Sequence, residues 1–199
     1  AIARVAAPMF KKLSLELGGK NPVLVFADCD FDQMLKTTVR SSFTNQGQIC
    51  LCGSRILVER SIYTRFRDAF VERVKALRVG DPKHPDSDLG AVVSKDHMEK
   101  VLGHIALAQQ EGGTVLCGGT QVRMPGALKD GWYIAPTVIE GLGPACRTNQ
   151  EEIFGPVLCI VRVPDFNSAC QLINEHEYGN GTAIFTRDGD AARQFCHNI

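Results

Sequence analysis

Three short stretches of the sequence carry residue types that can perform chemistry, and the first contains Cys50. It lies in NQGQIC (45–50), a polar run that follows an apolar helical pattern. A cysteine nucleophile needs thiolate character, access and nearby backbone donors, and a turn rich in Gly, Asn and Gln offers exposure and free N–H groups. Cys52 makes the spacing CxC, which is not the CxxC of a redox dithiol or a metal site. On spacing alone, a structural thiol is the more frequent case.

The second stretch, KLSLELGGKNP (12–22), contains Glu16. Leu15 and Leu17 flank this carboxylate, and an apolar setting raises the pKa of a carboxyl group toward the range of a general base. The alternative is a solvated glutamate on an alternating strand. Gly18 and Gly19 weaken that alternative, because adjacent glycines destabilise the interior of a strand.

The third stretch is EEIFGPV (151–157), in which Gly155 and Pro156 close a turn. Glu152 and Phe154 are displayed together there, as the binding of a ribose and an aromatic ring requires. The alternative is an acidic turn that precedes a strand. None of the five histidines has the spacing of a metal site, and none lies in a motif that supplies the partner of a cysteine hydrolase. We therefore predict no metal.

Composition narrows the class of partner. The 199 residues carry 22 basic and 22 acidic side chains, and neither sign forms a run. We therefore expect no nucleic acid and no membrane as partner, but a small molecule. No apolar window is long enough to span a bilayer. The eight cysteines are expected to be reduced, mostly core residues in a cytoplasmic protein, with an organelle as the alternative.

The elements that must position these residues alternate along the chain. Short apolar runs such as NPVLVF, RILVE, TVLC and PVLCIVRV indicate strands, and segments with helical periodicity lie between them. This order predicts an α/β fold with a largely parallel sheet flanked by helices. AIARVAAPMFKKL predicts an opening helix, and the Cys50 turn is expected just after a helix that ends near Gly47.

Taken together and in this order, LELGGKNP, NQGQIC and EEIFGPV resemble the NAD(P)-dependent aldehyde dehydrogenase superfamily, over the whole chain. The resemblance implies that Cys50 is the nucleophile and Glu16 the general base. It also implies that Glu152 and Phe154 hold the nicotinamide ribose and ring, with Leu17 and Gly18 beside them. The implied cofactor is NAD, with NADP as the alternative, and the implied substrate is a small aldehyde.

The family chemistry proceeds through a thiohemiacetal and a thioester on Cys50. An oxyanion would be held by the Cys50 N–H and by an asparagine from an earlier segment that has no counterpart here. The family's glycine-rich cofactor turn and its C-terminal segment also have no counterpart. Residues 1–18 are therefore expected to end a Rossmann-like dinucleotide-binding domain, and residues 19–199 to form an incomplete catalytic domain. The alternative is a catalytically inactive fragment or a dehydrogenase-like binding or structural domain, and the full-length protein is expected to be a homo-oligomer.

Two stretches resemble different branches of the family. FTNQGQICLCGSR is similar to enzymes acting on hydroxymuconic and aminomuconic semialdehydes. YGNGTAIFTRDG is similar to the acylating methylmalonate semialdehyde group, which generally lacks the glutamate of the first motif. Because Glu16 is present, the resemblance favours hydrolysis of the thioester over its transfer to coenzyme A.

Overall fold

The computed structural model describes all residues from Ala1 to Ile199. Its strands are β1 (Pro22–Val25), β2 (Arg55–Glu59), β3 (Thr114–Cys117), β4 (Gln121–Val122), β5 (Tyr133–Ile134), β6 (Thr137–Glu140), β7 (Val157–Val163) and β8 (Ala183–Phe185). Its α-helices are α1 (Ile2–Ala6), α2 (Phe31–Phe43), α3 (Tyr63–Lys75), α4 (Lys95–Gln110), α5 (Arg147–Gln150), α6 (Phe166–Asn174) and α7 (Gly189–Asn198).

Six strands form one sheet in the order β3-β6-β7-β2-β1-β8, and β4 pairs with β5 in a separate ribbon. The five strands from β6 to β8 in this order pair in parallel, while β3 is antiparallel to β6 at one edge. The sequence explains the parallel arrangement, because β2 and β7 are apolar on both faces, as strands covered on both sides must be. The prediction of a largely parallel sheet flanked by helices is confirmed.

Alternate residues of the strands enter cores on opposite faces of the sheet. Val23, Val25 and Ile56 pack with α2 and α3 in one apolar cluster. Leu24 and Leu57 point the other way and pack with α6 and α7. A third cluster joins α4 to β6 and the start of β7. The sheet is thereby buried between helical layers, and its strand ends are fixed relative to one another.

Helix α2 delivers the chain to the Cys50 turn. Asp30 caps its N-terminus by accepting a hydrogen bond from the Gln33 N–H (3.1 Å). The helix ends at Phe43, and a short 3-10 turn follows over Thr44–Gly47. Asn45, Gln46 and Gly47 are all left-handed there, with φ of 52°, 57° and 70°. This sharp reversal brings the next residues back toward the start of β1.

One prediction about local structure needs correction. The opening helix is limited to Ile2–Ala6 and a 3-10 turn over Ala7–Met9, and the left-handed Phe10 ends it. Pro8 lacks the N–H that a continuing helix would use, which explains the early end. The expectation that most cysteines belong to the core is confirmed. Three of the eight are buried (Cys52, Cys159 and Cys170), and three more are half-buried and pack against the apolar clusters (Cys29, Cys117 and Cys146).

None of the helices combines the length and apolarity that crossing a bilayer requires.

Candidate active site

The Cys50 turn leaves the backbone N–H of the candidate nucleophile free to bind an oxyanion. Cys50 is half-buried, and its backbone N–H makes no hydrogen bond within the chain. Cys52 turns inward and is 7% exposed, while its N–H closes a turn by donating to the Ile49 carbonyl (2.9 Å). The two thiols therefore differ: Cys50 faces the surface, whereas Cys52 is buried in the packed interior.

The other thiols differ in their burial. Desolvation raises the pKa of Cys52, Cys117 and Cys159, so these thiols hold less thiolate at neutral pH. Cys196 lies on α7 and is exposed. Cys146 is half-buried like Cys50, so any labelling experiment on Cys50 must first remove both the Cys146 and the Cys196 thiol.

The turn that carries Glu152 and Phe154 abuts the Cys50 turn directly. A Cβ added to Gly47 would collide with the carbonyl oxygen of Gly155, so the two backbones touch at a glycine on each side. Gly155 is equally confined, because its own Cβ would lie 2.6 Å from a methyl group of Val101 on α4. The contact fixes the distance between the candidate nucleophile and the candidate cofactor-binding turn.

Helix α4 supports this second turn through two side chains. His97 Nε2 donates to the Phe154 carbonyl (2.7 Å), and Lys100 Nζ donates to the Glu152 carbonyl (3.1 Å). Phe154 itself is left-handed with φ of 57°, a costly conformation for a residue with a side chain. The Glu152 carboxylate accepts a hydrogen bond from the Gly19 N–H (3.0 Å), which ties the turn to the segment after Glu16.

The segment from Glu16 to Gly18 lies along the same opening. A Cβ on Gly18 would be 2.5 Å from Glu152 Oε2, so only glycine permits this approach. Together with the two turns, the segment lines one open cleft of about 410 Å³. The lining residues are Glu16, Leu17, Gly18, Cys50, His97, Lys100, Glu152 and Phe154. All six residues singled out in the sequence are brought to this cleft.

The local setting of Glu16 differs from the predicted one. Glu16 is exposed and makes no hydrogen bond, and Leu15 and Leu17 are 56% and 62% exposed. The apolar enclosure expected from its neighbours is therefore not formed by this chain. The alternative of an alternating strand is wrong as well, because residues 11–21 form neither strand nor helix.

Sequence reasoning missed several residues that build the site. Gln46 and Gln48 bind the backbone of another segment: Gln46 Nε2 donates to Ala91 O (2.9 Å), and Gln48 Oε1 accepts from the Val93 N–H (3.1 Å). His97 and Lys100 were also missed. Their spacing of three residues on one predicted helix shows that they share a face, but it does not show which turn that face meets.

The fold and this cleft define an α/β domain with a surface thiol beside a carboxylate and a candidate nucleotide-binding turn. The Aldehyde dehydrogenase family profile matches residues 1–199, and the chain belongs to this family. It is 46% identical over 189 residues to the 2-aminomuconic semialdehyde dehydrogenase of Danio rerio, and the match covers 94% of this chain and 39% of that protein.

Solved structures agree with this assignment. HpcC from Thermus thermophilus superposes with a TM-score of 0.90 at 37% identity, over 100% of this chain and 39% of that one. A betaine aldehyde dehydrogenase variant from Staphylococcus aureus, in complex with NAD⁺, gives a TM-score of 0.90 at 36% identity, over 100% of this chain and 40% of its own. The chain thus spans about two fifths of the length of the proteins it matches.

Proposed function

We propose that this chain supplies the nucleophile, the general base and the nicotinamide-binding turn of an enzyme that oxidises an aldehyde to a carboxylic acid with NAD(P)⁺. The observation that carries the proposal is the convergence of Cys50, Glu16 and Glu152 on one cleft from three distant parts of the sequence. A structural thiol has no need of a carboxylate and a free N–H beside it.

Cys50 begins the reaction as a thiolate that adds to the aldehyde carbon and forms a thiohemiacetal. The developing oxyanion meets the Cys50 N–H, which is free to donate. NAD(P)⁺ held by Glu152 and Phe154 would supply the hydride acceptor, and loss of hydride from this carbon to it would leave a thioester on Cys50. Glu16 then takes a proton from water, and the resulting hydroxide attacks the thioester carbon, so that the acid leaves and the thiol is restored.

Cofactor binding is assigned to the turn opposite Cys50. The Glu152 carboxylate would accept hydrogen bonds from the ribose hydroxyls, and Phe154 would pack near the nicotinamide ring. Leu17 and Gly18 form the adjoining wall of the cleft, and the missing side chain of Gly18 lets the Glu152 carboxylate lie close to the Gly18 backbone. These residues suit NAD, and nothing among them discriminates against NADP.

The substrate class is assigned by similarity. The Danio rerio relative is a 2-aminomuconic semialdehyde dehydrogenase, and a relative from Escherichia coli at 43% identity is a 5-carboxymethyl-2-hydroxymuconate semialdehyde dehydrogenase. We propose a semialdehyde substrate on this ground. A homo-oligomer in the cytoplasm is the proposed setting of the full-length protein.

A second proposal is that the 199 residues have no turnover by themselves. Residues 10–17 are all exposed, and the Glu16 side chain contacts no partner that would fix it over Cys50. A general base without a fixed position loses most of its advantage. In that case the chain acts as a dehydrogenase-like binding or structural domain until further residues hold the Glu16 segment.

The test uses Glu16→Gln in the full-length protein, where amide replaces carboxylate at nearly the same size. Mixing the variant with aldehyde and NAD⁺ should still give a burst of NADH, because attack by Cys50 and hydride transfer do not require Glu16. Steady turnover should fall about 10²–10⁴-fold, since hydrolysis of the thioester loses its base.

Three control variants complete the test. Cys50→Ala should abolish both the burst and turnover, whereas Cys52→Ala should keep the burst. Glu99→Gln, an exposed glutamate of α4 outside the cleft, should leave both rates unchanged. Unchanged turnover in Glu16→Gln would remove Glu16 from the mechanism, and a burst in Cys50→Ala would remove the nucleophile.

A further inference from the structure

The carbonyl oxygen of Cys50 is held by two asparagine side chains from distant parts of the sequence. Asn21 Nδ2 donates to it at 2.7 Å and also to the Cys52 carbonyl at 3.0 Å. Asn180 Nδ2 donates to the same Cys50 oxygen at 2.8 Å. Two donors on one carbonyl oxygen use both of its lone pairs, and the plane of the peptide between Cys50 and Leu51 is thereby fixed.

The turn has few other constraints near the thiol. The only hydrogen bond between backbone groups inside residues 49–53 runs from the Cys52 N–H to Ile49 O. The Gly53 N–H is held by Ser41 Oγ at 3.3 Å, three residues beyond the thiol. The position of Cys50 therefore depends on the two amides.

Two glycines make room for the asparagines to converge. A Cβ on Gly19 would lie 2.6 Å from Asn21 Oδ1 and 3.0 Å from Asn180 Cβ. A Cβ on Gly181 would lie 3.2 Å from Leu51 Cδ2. The glycines of LELGG and YGNG thus lie where side chains would separate the asparagines from the Cys50 turn.

We propose that Asn21 and Asn180 are positioning residues for Cys50, and this inference rests on the proposed role of Cys50 as nucleophile. By fixing its peptide they set the ψ angle of Cys50, and with it the direction of the thiol relative to the free N–H. The proposal gives a function to the YGNG segment, which the chemistry otherwise does not use. Displacing a reacting group by about 1 Å can cost about 10²-fold in rate.

The two asparagines differ in how safely they can be changed. Asn21 is buried, and its side chain also satisfies the Cys52 carbonyl, which would lose this donor on substitution. Its replacement risks the fold. Asn180 is exposed, so its removal tests the contact without disturbing a core.

The first experiment uses the 199-residue chain and does not depend on activity. In Asn180→Leu, the Cys52 amide should exchange with deuterium about fivefold faster or more, because the turn it closes is loosened. The matched control is Asn174→Leu: Asn174 Nδ2 also donates to a backbone carbonyl, that of Asn198 at 2.7 Å, but away from Cys50. Equal exchange of the Cys52 amide in both variants would overturn the proposal.

The second experiment measures the NADH burst in the full-length protein. Asn180→Leu should slow the burst about tenfold, while the KM values for aldehyde and NAD⁺ change less than about twofold, because only the reacting group is displaced. Asn180→Asp keeps the shape but replaces the donor by a carboxylate that repels the Cys50 carbonyl, so it should be slowed at least as much. Asn180→Gln, which retains a donor amide, should recover part of the rate.

The outcomes separate this inference from the proposed function. A burst in Asn180→Asp as fast as in the wild type shows that the hydrogen bond does not position Cys50. A wild-type protein that oxidises no aldehyde overturns the proposed function and the catalytic half of this inference with it, while the exchange experiment still decides whether the amides hold the turn.

Discussion

At the scale of single residues, Lys20 is a basic group whose burial near the site lowers the stability of the fold. Its side chain is 1% exposed, and its Nζ has no hydrogen-bond partner. Burial lowers the pKa of Lys20 to about 8, although the nearby Cys159 opposes this effect. Burial likewise lowers the pKa of Arg55, to about 10, and that of His104. These basic groups lie near one another because the segment before β1, the start of β2 and helix α4 meet there.

A pH dependence of stability follows from Lys20. Because its pKa is about 8 in the folded chain and about 10.5 when unfolded, the unfolded state binds more protons between these values. Stability therefore rises with pH across that window, and the contribution of Lys20 is unfavourable below pH 8, by an amount on the order of 3 kcal/mol. Lys20→Met should raise the free energy of unfolding at pH 7 and remove the rise between pH 8 and 10.5.

Urea denaturation at several pH values measures this effect as a difference between variant and wild type. The difference is needed because burial raises the pKa of Cys159 and Tyr63, whose ionisation lowers stability as pH rises. Lys36→Met, at an exposed position of α2, is the control and should leave the pH dependence unchanged. A Lys20→Met variant less stable than wild type at pH 7 would contradict the prediction, since the charged ammonium group would then stabilise the fold.

At the scale of elements, the contact between the turns at Gly47 and Gly155 determines how the site is assembled. Gly47→Ala should destabilise the chain, since a side chain at φ of 70° is strained and its Cβ meets the Gly155 carbonyl. We expect a loss on the order of 2–4 kcal/mol in the free energy of unfolding, from strain and steric overlap together.

Gly103→Ala is the matched control for this substitution. Gly103 lies within α4, and a Cβ there meets no atom within 4 Å. The same chemical change should therefore stabilise the chain by roughly 0.5–1 kcal/mol through helix propensity. Equal stability changes in the two variants, measured by chemical denaturation, would show that the turns do not depend on their close contact.

Elements were predictable from sequence wherever a local cause determined them. The apolar run RILVE predicts β2, and the spacing of Phe31, Leu35, Val39 and Phe43 predicts α2. The sequence leaves Asp28 and Asp30 as alternative caps, and the structure shows Asp30 in that role. The opening helix is shorter than its apolar pattern predicts, because Pro8 cannot donate the N–H that a continuing helix requires. The hydrogen bond between Asn180 and Cys50 joins residues 130 positions apart. No local sequence pattern indicates that two such distant segments lie side by side.

The candidate site residues likewise have some features that a local sequence pattern predicts and others that depend on distant segments. Cys50, Glu16 and Glu152 were found because their motifs are local and ordered along the chain. The exposure of Glu16 could not be predicted from the sequence, because it depends on what packs over residues 10–17 and not on the two leucines beside it. Their roles in the reaction stay predictions until the Glu16→Gln and Cys50→Ala variants are measured.

At the scale of the whole molecule, we expect the cleft to bind NAD⁺ only weakly. In the proposed function, Glu152, Phe154 and the Gly18 wall would contact only the nicotinamide end of the cofactor. Tight binding of the pyrophosphate ordinarily uses a helix N-terminus entered through a glycine-rich turn, and the sequence has no such motif. The Glu152 carboxylate already accepts a hydrogen bond from the Gly19 N–H. To bind a ribose hydroxyl it must either accept both hydrogen bonds or give up the one from Gly19.

We therefore expect NAD⁺ to bind the 199-residue chain with a dissociation constant near 1 mM or weaker, which corresponds to about −4 kcal/mol. Isothermal titration calorimetry measures this directly. Nicotinamide mononucleotide should bind about as weakly as NAD⁺, because the adenosine half finds no contacts, and Glu152→Gln should weaken both ligands alike. Micromolar binding of NAD⁺ together with weak binding of the mononucleotide would place an adenosine or pyrophosphate site on this chain, and the cleft around Glu152 would then be only part of its cofactor-binding surface.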